Sequence, residues 1–207
     1  MIVVGSGPAG QKAALCAAKL GQRVAIIDRR GMVGGVCIHT GTIPSKAIRE
    51  AVLHFTGVKY RDLYGSDYTV KDRITMDDLL ERARVVSRAE AGVIKRQMRR
   101  NDVHMVDGKA VFIDEHTLLV DNGAEQHHLR GDRILIAVGT NPARPAHVPF
   151  KYGKVIDSNE ILQMDRLPSE LCVVGGGVIG TEYAAMLAAC GAKVTLVDAG
   201  PRLLSFL

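Results

Sequence analysis

The sequence predicts an α/β fold in which one strand–turn–helix–strand unit occurs twice. Three observations support this prediction: a glycine-rich pattern near both ends of the chain, the small-residue helices that follow it, and short apolar runs typical of buried parallel strands. With 207 residues, 47% of them hydrophobic, the chain can bury a core in one or two domains.

The first copy of the unit begins with a short apolar strand at residues 2–4. The sequence GSGPAG at residues 5–10 follows, and its G-x-G-x-x-G pattern opens a helix that reaches about Leu20. Residues 23–27 predict a second strand, which ends at Asp28.

The second copy repeats this order near the other end of the chain. An apolar strand at residues 171–174 precedes the sequence GGGVIG at 175–180, and a second small-residue helix follows. Residues 193–197 predict the closing strand, which ends at Asp198. In both copies the acid lies 18 residues after the last glycine of the pattern (28 − 10 and 198 − 180).

The chemistry of dinucleotide binding explains this spacing. The first glycine permits a tight turn, the second lets the backbone approach a pyrophosphate, and the third lets the helix pack closely on the strand. Unpaired N–H groups at the positive end of the helix bind the pyrophosphate, and the acid accepts hydrogen bonds from a ribose diol. The two copies therefore predict Rossmann-like units for two dinucleotides, or for one cofactor and one dinucleotide substrate. The predicted glycines are Gly5, Gly7, Gly10, Gly175, Gly177 and Gly180.

The stretch between the copies predicts two helices and several strands. One helix spans Pro44 to about Phe55, and a second begins at a capping box at residues 75–78 and reaches about Arg100. Predicted strands cover residues 103–106, 110–113, 117–120 and 133–138, the last of them a buried parallel strand ending at Gly139. Residues 57–71 are polar and irregular, and no role is assigned to them.

The predicted domain boundary lies in the Asn- and Pro-rich segment 141–145. It separates a first domain at 1–145 from the start of a second at 146–207. We expect the chain to be truncated at both ends, because its first strand has three residues before Gly5 and nine residues follow Asp198. The second unit is then incomplete.

Composition excludes several functional classes. The net charge of +5 is mild and aromatic residues make up 4%, which argues against a nucleic-acid surface. No window has the 18 apolar residues of a membrane helix, and no signal peptide is evident. The four cysteines lack metal-ligand spacing, so we expect no metal and a reducing, cytoplasmic location. Three of them are predicted to be small core residues: Cys16, Cys172 and Cys190.

The sequence GGVCIHTGTIPSK at residues 34–46 resembles the active-site segment GGxCxxxGCxPSK of the flavoprotein disulfide reductase family. In that family two cysteines separated by four residues form a redox disulfide against the flavin. The resemblance also covers both G-x-G-x-x-G patterns, the sequence GKAVF at 108–112 and the sequence AVG at 137–139. It implies an FAD domain followed by an NAD(P) domain, and a homodimer completed by a C-terminal interface domain.

One departure from the family pattern changes the expected function. Thr42 stands where the second redox cysteine should be, and a hydroxyl cannot form a disulfide with Cys37. The sequence GTIPSK resembles the soluble pyridine nucleotide transhydrogenase branch, which implies NADPH + NAD⁺ ⇌ NADP⁺ + NADH with FAD as the carrier. The alternatives are an NAD(P)H:quinone or dye reductase, a lipoamide-dehydrogenase-like flavoprotein, and a non-catalytic dinucleotide-binding module.

The resemblance also implies roles for single residues at the flavin. The glycines of the first copy would bind the FAD pyrophosphate, and Asp28 would bind its ribose. Lys46 would lie at the flavin N5 edge and pair with Glu182, and we take these two as the catalytic residues. Ala110 would offer its backbone to the adenine. The remaining residues implied to line the FAD site are Gly35, Cys37, Thr42 and Gly139.

The glycines of the second copy would bind NAD(P)H as substrate. Asp198 favours a ribose without a 2′-phosphate, because a carboxylate repels a second anion. A transhydrogenase must nevertheless accept both NADPH and NAD⁺.

Overall fold

The computed structural model describes residues 1–29, 32–150 and 154–204. The chain divides into two compact units. Unit one comprises Met1–Thr42 and Ser87–Asn141, and unit two comprises Ile43–Val86 and Pro142–Leu207.

Within the described residues, the helices are α1 (Pro8–Lys19), α2 (Gly35–His39), α3 (Thr42–Phe55), α4 (Arg61–Tyr64), α5 (Met76–Arg100) and α6 (Val178–Ala189), with 3-10 turns at Val58–Tyr60 and Glu160–Gln163. The strands are β1 (Ile2–Val4), β2 (Ala25–Asp28), β3 (His104–Asp107), β4 (Lys109–Phe112), β5 (Thr117–Asp121), β6 (Gln126–Arg130), β7 (Ile134–Ile136), β8 (Glu170–Val174) and β9 (Lys193–Val197).

Unit one is built on a four-stranded parallel sheet in the order β3-β2-β1-β7. Central strand β1 aligns Ile2 with Ala25 on one side and with Ile134 on the other. Strands β4, β5 and β6 form a separate antiparallel sheet. Leu118 and Val120 of β5 pack against Ile2 and Ile27 of the parallel sheet. The predicted α/β class, with its parallel sheet, is confirmed.

The sequence prediction for β7 was wrong in one respect. The strand was expected to be buried through Val138, but Ile136 is 62% exposed and Val138 is 66% exposed. In the described part of the chain β7 is an outer strand of its sheet and pairs only with β1. Helix α2 and strand β6 were not predicted.

Unit two has its core between three helices. Ile48 and Val52 of α3, Leu79 of α5, and Tyr183 and Leu187 of α6 belong to one buried cluster. The second copy of the repeated unit is present as parallel strands β8 and β9 with α6.

The start of α5 confirms the predicted capping box. Thr75 N–H donates to the Asp78 carboxylate at 2.8 Å, and Asp78 N–H donates to Thr75 Oγ1 at 3.2 Å. These two bonds satisfy backbone donors that would otherwise lack partners at the helix start. Lys71 Nζ lies 2.7 Å from the same carboxylate, and its hydrogen bond is the main reason that the pKa of Asp78 falls to about 2.

The prediction that three cysteines are core residues was wrong for two of them. Cys16 and Cys172 are exposed, because they lie on the outward faces of α1 and β8. Cys190 packs against the core of unit two, and burial raises the pKa of its thiol to about 11.

The helices in the described ranges are all too short or too polar to cross a bilayer. Nor do the described residues bring three metal-ligating side chains together.

Candidate functional site

The first glycine turn joins β1 to α1 in a conformation that only glycine fits. Gly5 has φ of +106°, and a Cβ added to it would overlap the carbonyl oxygen of Ala137, just after β7. A Cβ on Gly10 would overlap the carbonyl oxygen of Gly5. Gly7 differs, because an added Cβ would meet no heavy atom within 4 Å. Gly5 and Gly10 are therefore required by packing, whereas the space beside Gly7 is open.

A cleft of about 470 Å³ lies at this turn in unit one. Its walls come from the glycine turn, the end of β2, helix α2, the start of β4 and the turn after β7. The structure thus brings together most of the residues predicted for the first dinucleotide: Gly5, Gly7, Asp28, Gly35, Cys37, Ala110 and Gly139.

Two further residues, Thr42 and Lys46, were predicted for this site, and Lys46 belongs to unit two. Thr42 is exposed at the first position of α3, and Lys46 is exposed one turn later. Neither is among the residues that line the cleft in the described chain. Their roles at the cofactor stay predictions.

Ser6, the residue between the first two glycines, fixes the acid of the first copy. Its hydroxyl lies 2.6 Å from Asp28 Oδ2, and its backbone N–H donates to the same oxygen at 3.2 Å. The Ser6 carbonyl accepts a hydrogen bond from Gln11 Nε2 at 2.7 Å. Asp28 therefore lies at the cleft with one carboxylate oxygen bound to the glycine turn.

Helix α2 and the residue after it bring polar side chains to the cleft. Gly34 and Gly35 precede and begin this helix with φ of +114° and +62°, and a Cβ on Gly35 would come within 2.9 Å of Gly7 Cα. This close approach places Cys37, His39 and Thr40 along the wall of the cleft.

The polar atoms of His39 and Thr40 differ in their hydrogen bonding. His39 Nε2 lies 3.0 Å from the Val33 carbonyl, so the neutral ring carries its proton on Nε2. Thr40 Oγ1 is buried and has no hydrogen-bond partner in the described chain. Sequence reasoning missed both residues because their only signal is position within the active-site segment.

The second glycine turn, in unit two, has the same backbone form. Gly175 has φ of +111°, and a Cβ on Gly180 would overlap the Gly175 carbonyl oxygen. Gly177 has no heavy atom within 4 Å of an added Cβ. Thr181 Oγ1 donates to the Gly176 carbonyl at 3.2 Å, the same task that Gln11 performs in the first copy.

Asp198 repeats the position of Asp28 and keeps its backbone partner from the glycine turn. Gly176 N–H donates to its Oδ2 at 2.6 Å, and Gly200 N–H donates to its Oδ1 at 2.8 Å. These two backbone bonds lower the pKa of the Asp198 carboxyl, and the bond from Gly176 makes the larger contribution. The acid is thereby held as a carboxylate beside the open space at the turn.

The predicted catalytic pair lies on two helices of unit two. Lys46 is exposed on α3 and Glu182 is half-buried on α6, and both helices contribute to the same core. No ion pair within 4.0 Å joins them among the described residues. Their pairing stays a prediction.

Comparisons with known proteins identify relatives of the whole chain. A Mycobacterium tuberculosis protein named soluble pyridine nucleotide transhydrogenase is 53% identical over 208 residues, covering 100% of this chain and 44% of that protein. Proteins of the same name from Pectobacterium atrosepticum and Colwellia psychrerythraea are 40% and 38% identical, with the same shares covered. The chain therefore spans less than half the length of these relatives.

Solved structures also include a relative that matches nearly the whole chain. The HOCl-induced flavoprotein disulfide reductase RclA from Escherichia coli superposes with a TM-score of 0.81 at 29% identity, over 99% of this chain and 43% of that one. The whole chain, residues 1–207, matches the family described as pyridine nucleotide-disulphide oxidoreductase. The chain therefore belongs to the pyridine nucleotide-disulphide oxidoreductase family.

Proposed function

We propose that the protein containing this chain is an FAD-dependent transhydrogenase that moves hydride between NADPH and NAD⁺ without a redox disulfide. One observation supports this most strongly. Cys37 lies at the cleft of the first copy, but Thr42 stands where the family pattern has the second cysteine. A thiol and a hydroxyl cannot store two electrons as a disulfide.

The residues of the unit-one cleft fit FAD. An added Cβ on Gly7 or Gly139 would enter open space, so the backbone there can approach a ligand closely. The N-terminus of α1 presents backbone N–H groups to a pyrophosphate, and Asp28 presents a carboxylate to a ribose. Thr40 Oγ1 is a polar atom at the cleft that has no hydrogen-bond partner among the described residues.

Bound FAD supplies a ring that accepts hydride from one nicotinamide and returns it to another. The protein's own contribution is binding, orientation and charge. Lys46 would place a cation at the N5 edge, where it stabilises negative charge, and Glu182 would orient that cation. Cys37 would serve as a small side chain in the flavin pocket.

The second copy would hold the nicotinamide dinucleotide. Gly175 and Gly180 shape its turn, the open side of Gly177 admits a pyrophosphate, and Asp198 offers its carboxylate to the ribose. This assignment makes NADPH and NAD⁺ alternate substrates of one site.

We further propose an FAD-binding domain at 1–145, an NAD(P)-binding domain that starts at 146, a homodimer and a cytoplasmic location. These proposals rest on the family resemblance and on the names of the relatives.

Hydride transfer from NADPH to an NAD⁺ analogue with a distinct absorbance tests the function. The full-length protein loaded with FAD should catalyse it, and protein stripped of FAD should not. Reduction of quinone, dye or lipoamide but not of the NAD⁺ analogue would contradict the proposal, as would purified protein without bound flavin.

A further inference from the structure

Ser6 links three segments that shape the unit-one cleft. The side chain is 2% exposed, and its hydroxyl lies 2.6 Å from Asp28 Oδ2 and 3.2 Å from the Gly34 N–H nitrogen. The hydroxyl also lies 3.5 Å from the Met32 carbonyl. It thus joins the glycine turn to the end of β2 and to the loop that leads into α2.

The chemistry of a hydroxyl decides which of these contacts it makes. A hydroxyl has one proton to donate, and it forms a stronger hydrogen bond with a nearby carboxylate than with a carbonyl. Ser6 Oγ therefore donates to Asp28 and accepts from Gly34 N–H. Gly34 N–H also reaches the Ser6 carbonyl at 3.1 Å, so the loop is attached to Ser6 through both side chain and backbone.

The second copy provides an internal comparison. Gly176 occupies the position of Ser6, and its N–H keeps the bond to the acid at 2.6 Å. It has no hydroxyl, and a Cβ at this position would come within 2.6 Å of Leu203. The backbone bond to the acid is thus shared by both copies, whereas the hydroxyl link to a following loop belongs to the first copy alone in the described chain.

We propose that Ser6 is a positioning residue that slows the release of FAD by holding Asp28 and the loop at 32–35 in place. Met32 of this segment and Gly35, where α2 begins, line the cleft, so loosening the segment opens one wall. A permanently bound cofactor benefits from such a link, and a substrate that must exchange at every turnover does not. This inference rests on the proposed binding of FAD at the first copy.

The test measures FAD release from the full-length holoprotein by the rise in free flavin fluorescence after dilution. Replacing Ser6 by Ala removes a buried hydrogen bond to a carboxylate, and we expect release to accelerate about tenfold. Ser6→Thr keeps the hydroxyl and should stay within about twofold of the wild type. Ser66→Ala is the matched control, because Ser66 Oγ lies 3.4 Å from the Asp67 carboxylate on an exposed surface.

Unchanged release in Ser6→Ala would overturn the inference, and so would equal acceleration in Ser6→Thr. If Ser6→Ala does not fold, Ser6→Gly replaces it, because the second copy forms the same turn with glycine there. Wild-type protein that holds FAD but transfers no hydride would refute the proposed function and leave this inference standing. Wild-type protein that binds no FAD would refute both.

Discussion

The two copies of the repeated unit share a backbone but not their surroundings. In the first copy β1 lies between β2 and β7, and the Ala137 carbonyl closes against Gly5. In the second copy β8 pairs with β9, and nothing described lies within 4 Å of a Cβ added to Gly175. The motif therefore determines the turn and the position of the acid, whereas the segments packed against the turn differ between the copies in the described chain.

At equivalent positions the copies differ at the end of the first strand but not at the start of the helix. Val4 at the end of β1 is half-buried, whereas Val174 at the end of β8 is 83% exposed. Pro8 and Ala9 at the start of α1 are exposed, and so are Val178 and Ile179 at the start of α6.

The largest expected effect is a difference in stability between variants of the first glycine in each turn. Gly175→Ala should lower the free energy of unfolding by about 1–3 kcal/mol, because its positive φ strains any side chain. Gly5→Ala should cost about 1–3 kcal/mol more, because its Cβ also overlaps a backbone carbonyl. Urea unfolding of the chain spanning residues 1–207 measures both. Equal losses would show that the surroundings of the two turns are equivalent.

A second pair of variants compares two glycines of the first copy, one required by packing and one beside the space proposed for the ligand. Gly10→Ala should destabilise the protein by about 1–3 kcal/mol, because the Cβ overlaps the Gly5 carbonyl. Gly7→Ala should change stability by less than about 1 kcal/mol, because its φ of −66° suits alanine and its Cβ meets open space. It should nevertheless weaken FAD binding. A stable Gly10→Ala protein, or a Gly7→Ala protein with unchanged FAD affinity, would contradict this division.

A smaller effect concerns Tyr183, which stands where the first copy has Ala13. Tyr183 is 6% exposed, its hydroxyl has no partner in the described chain, and burial raises its pKa to about 12. Removing an unsatisfied buried hydroxyl should stabilise the protein, so Tyr183→Phe should raise the free energy of unfolding by about 1 kcal/mol. Thermal unfolding measures this. As the control, Tyr64→Phe alters a tyrosine that is 67% exposed and should change nothing. A destabilised Tyr183→Phe protein would mean that the hydroxyl has a partner.

The smallest effect is the pH response of the second turn. Because the folded pKa of Asp198 is lowered, its contribution to stability is present above the unfolded pKa and is lost as pH falls through the folded pKa. The amide resonances of Gly176 and Gly200 should therefore titrate with a midpoint below the ordinary value of 3.8. The Asp198→Asn variant should abolish that titration. A midpoint at or above 3.8 would show that the two backbone bonds do not favour the carboxylate.

Much of this architecture could be predicted from the sequence because the glycine spacing has a steric cause. Gly10 and Gly180 both stand where a Cβ would strike a carbonyl, so the motif, helix and acid are fixed locally. The link made by Ser6 could not be predicted, because its contact with Gly34 depends on where residues 32–35 lie. Helix α2 was missed because its five residues are too few to show helical periodicity. The exposure of β7 depends on which strands flank it, and the residues of the strand alone do not determine its neighbours.

Electron counting tests the central claim most directly. In an anaerobic reductive titration, the full-length FAD protein should take up about two electrons per FAD, because Cys37 lacks the second cysteine that the family pattern places at Thr42. The reduced protein should then be reoxidised by an NAD⁺ analogue. Uptake of about four electrons per FAD would reveal a second two-electron couple such as a disulfide, and would contradict the account.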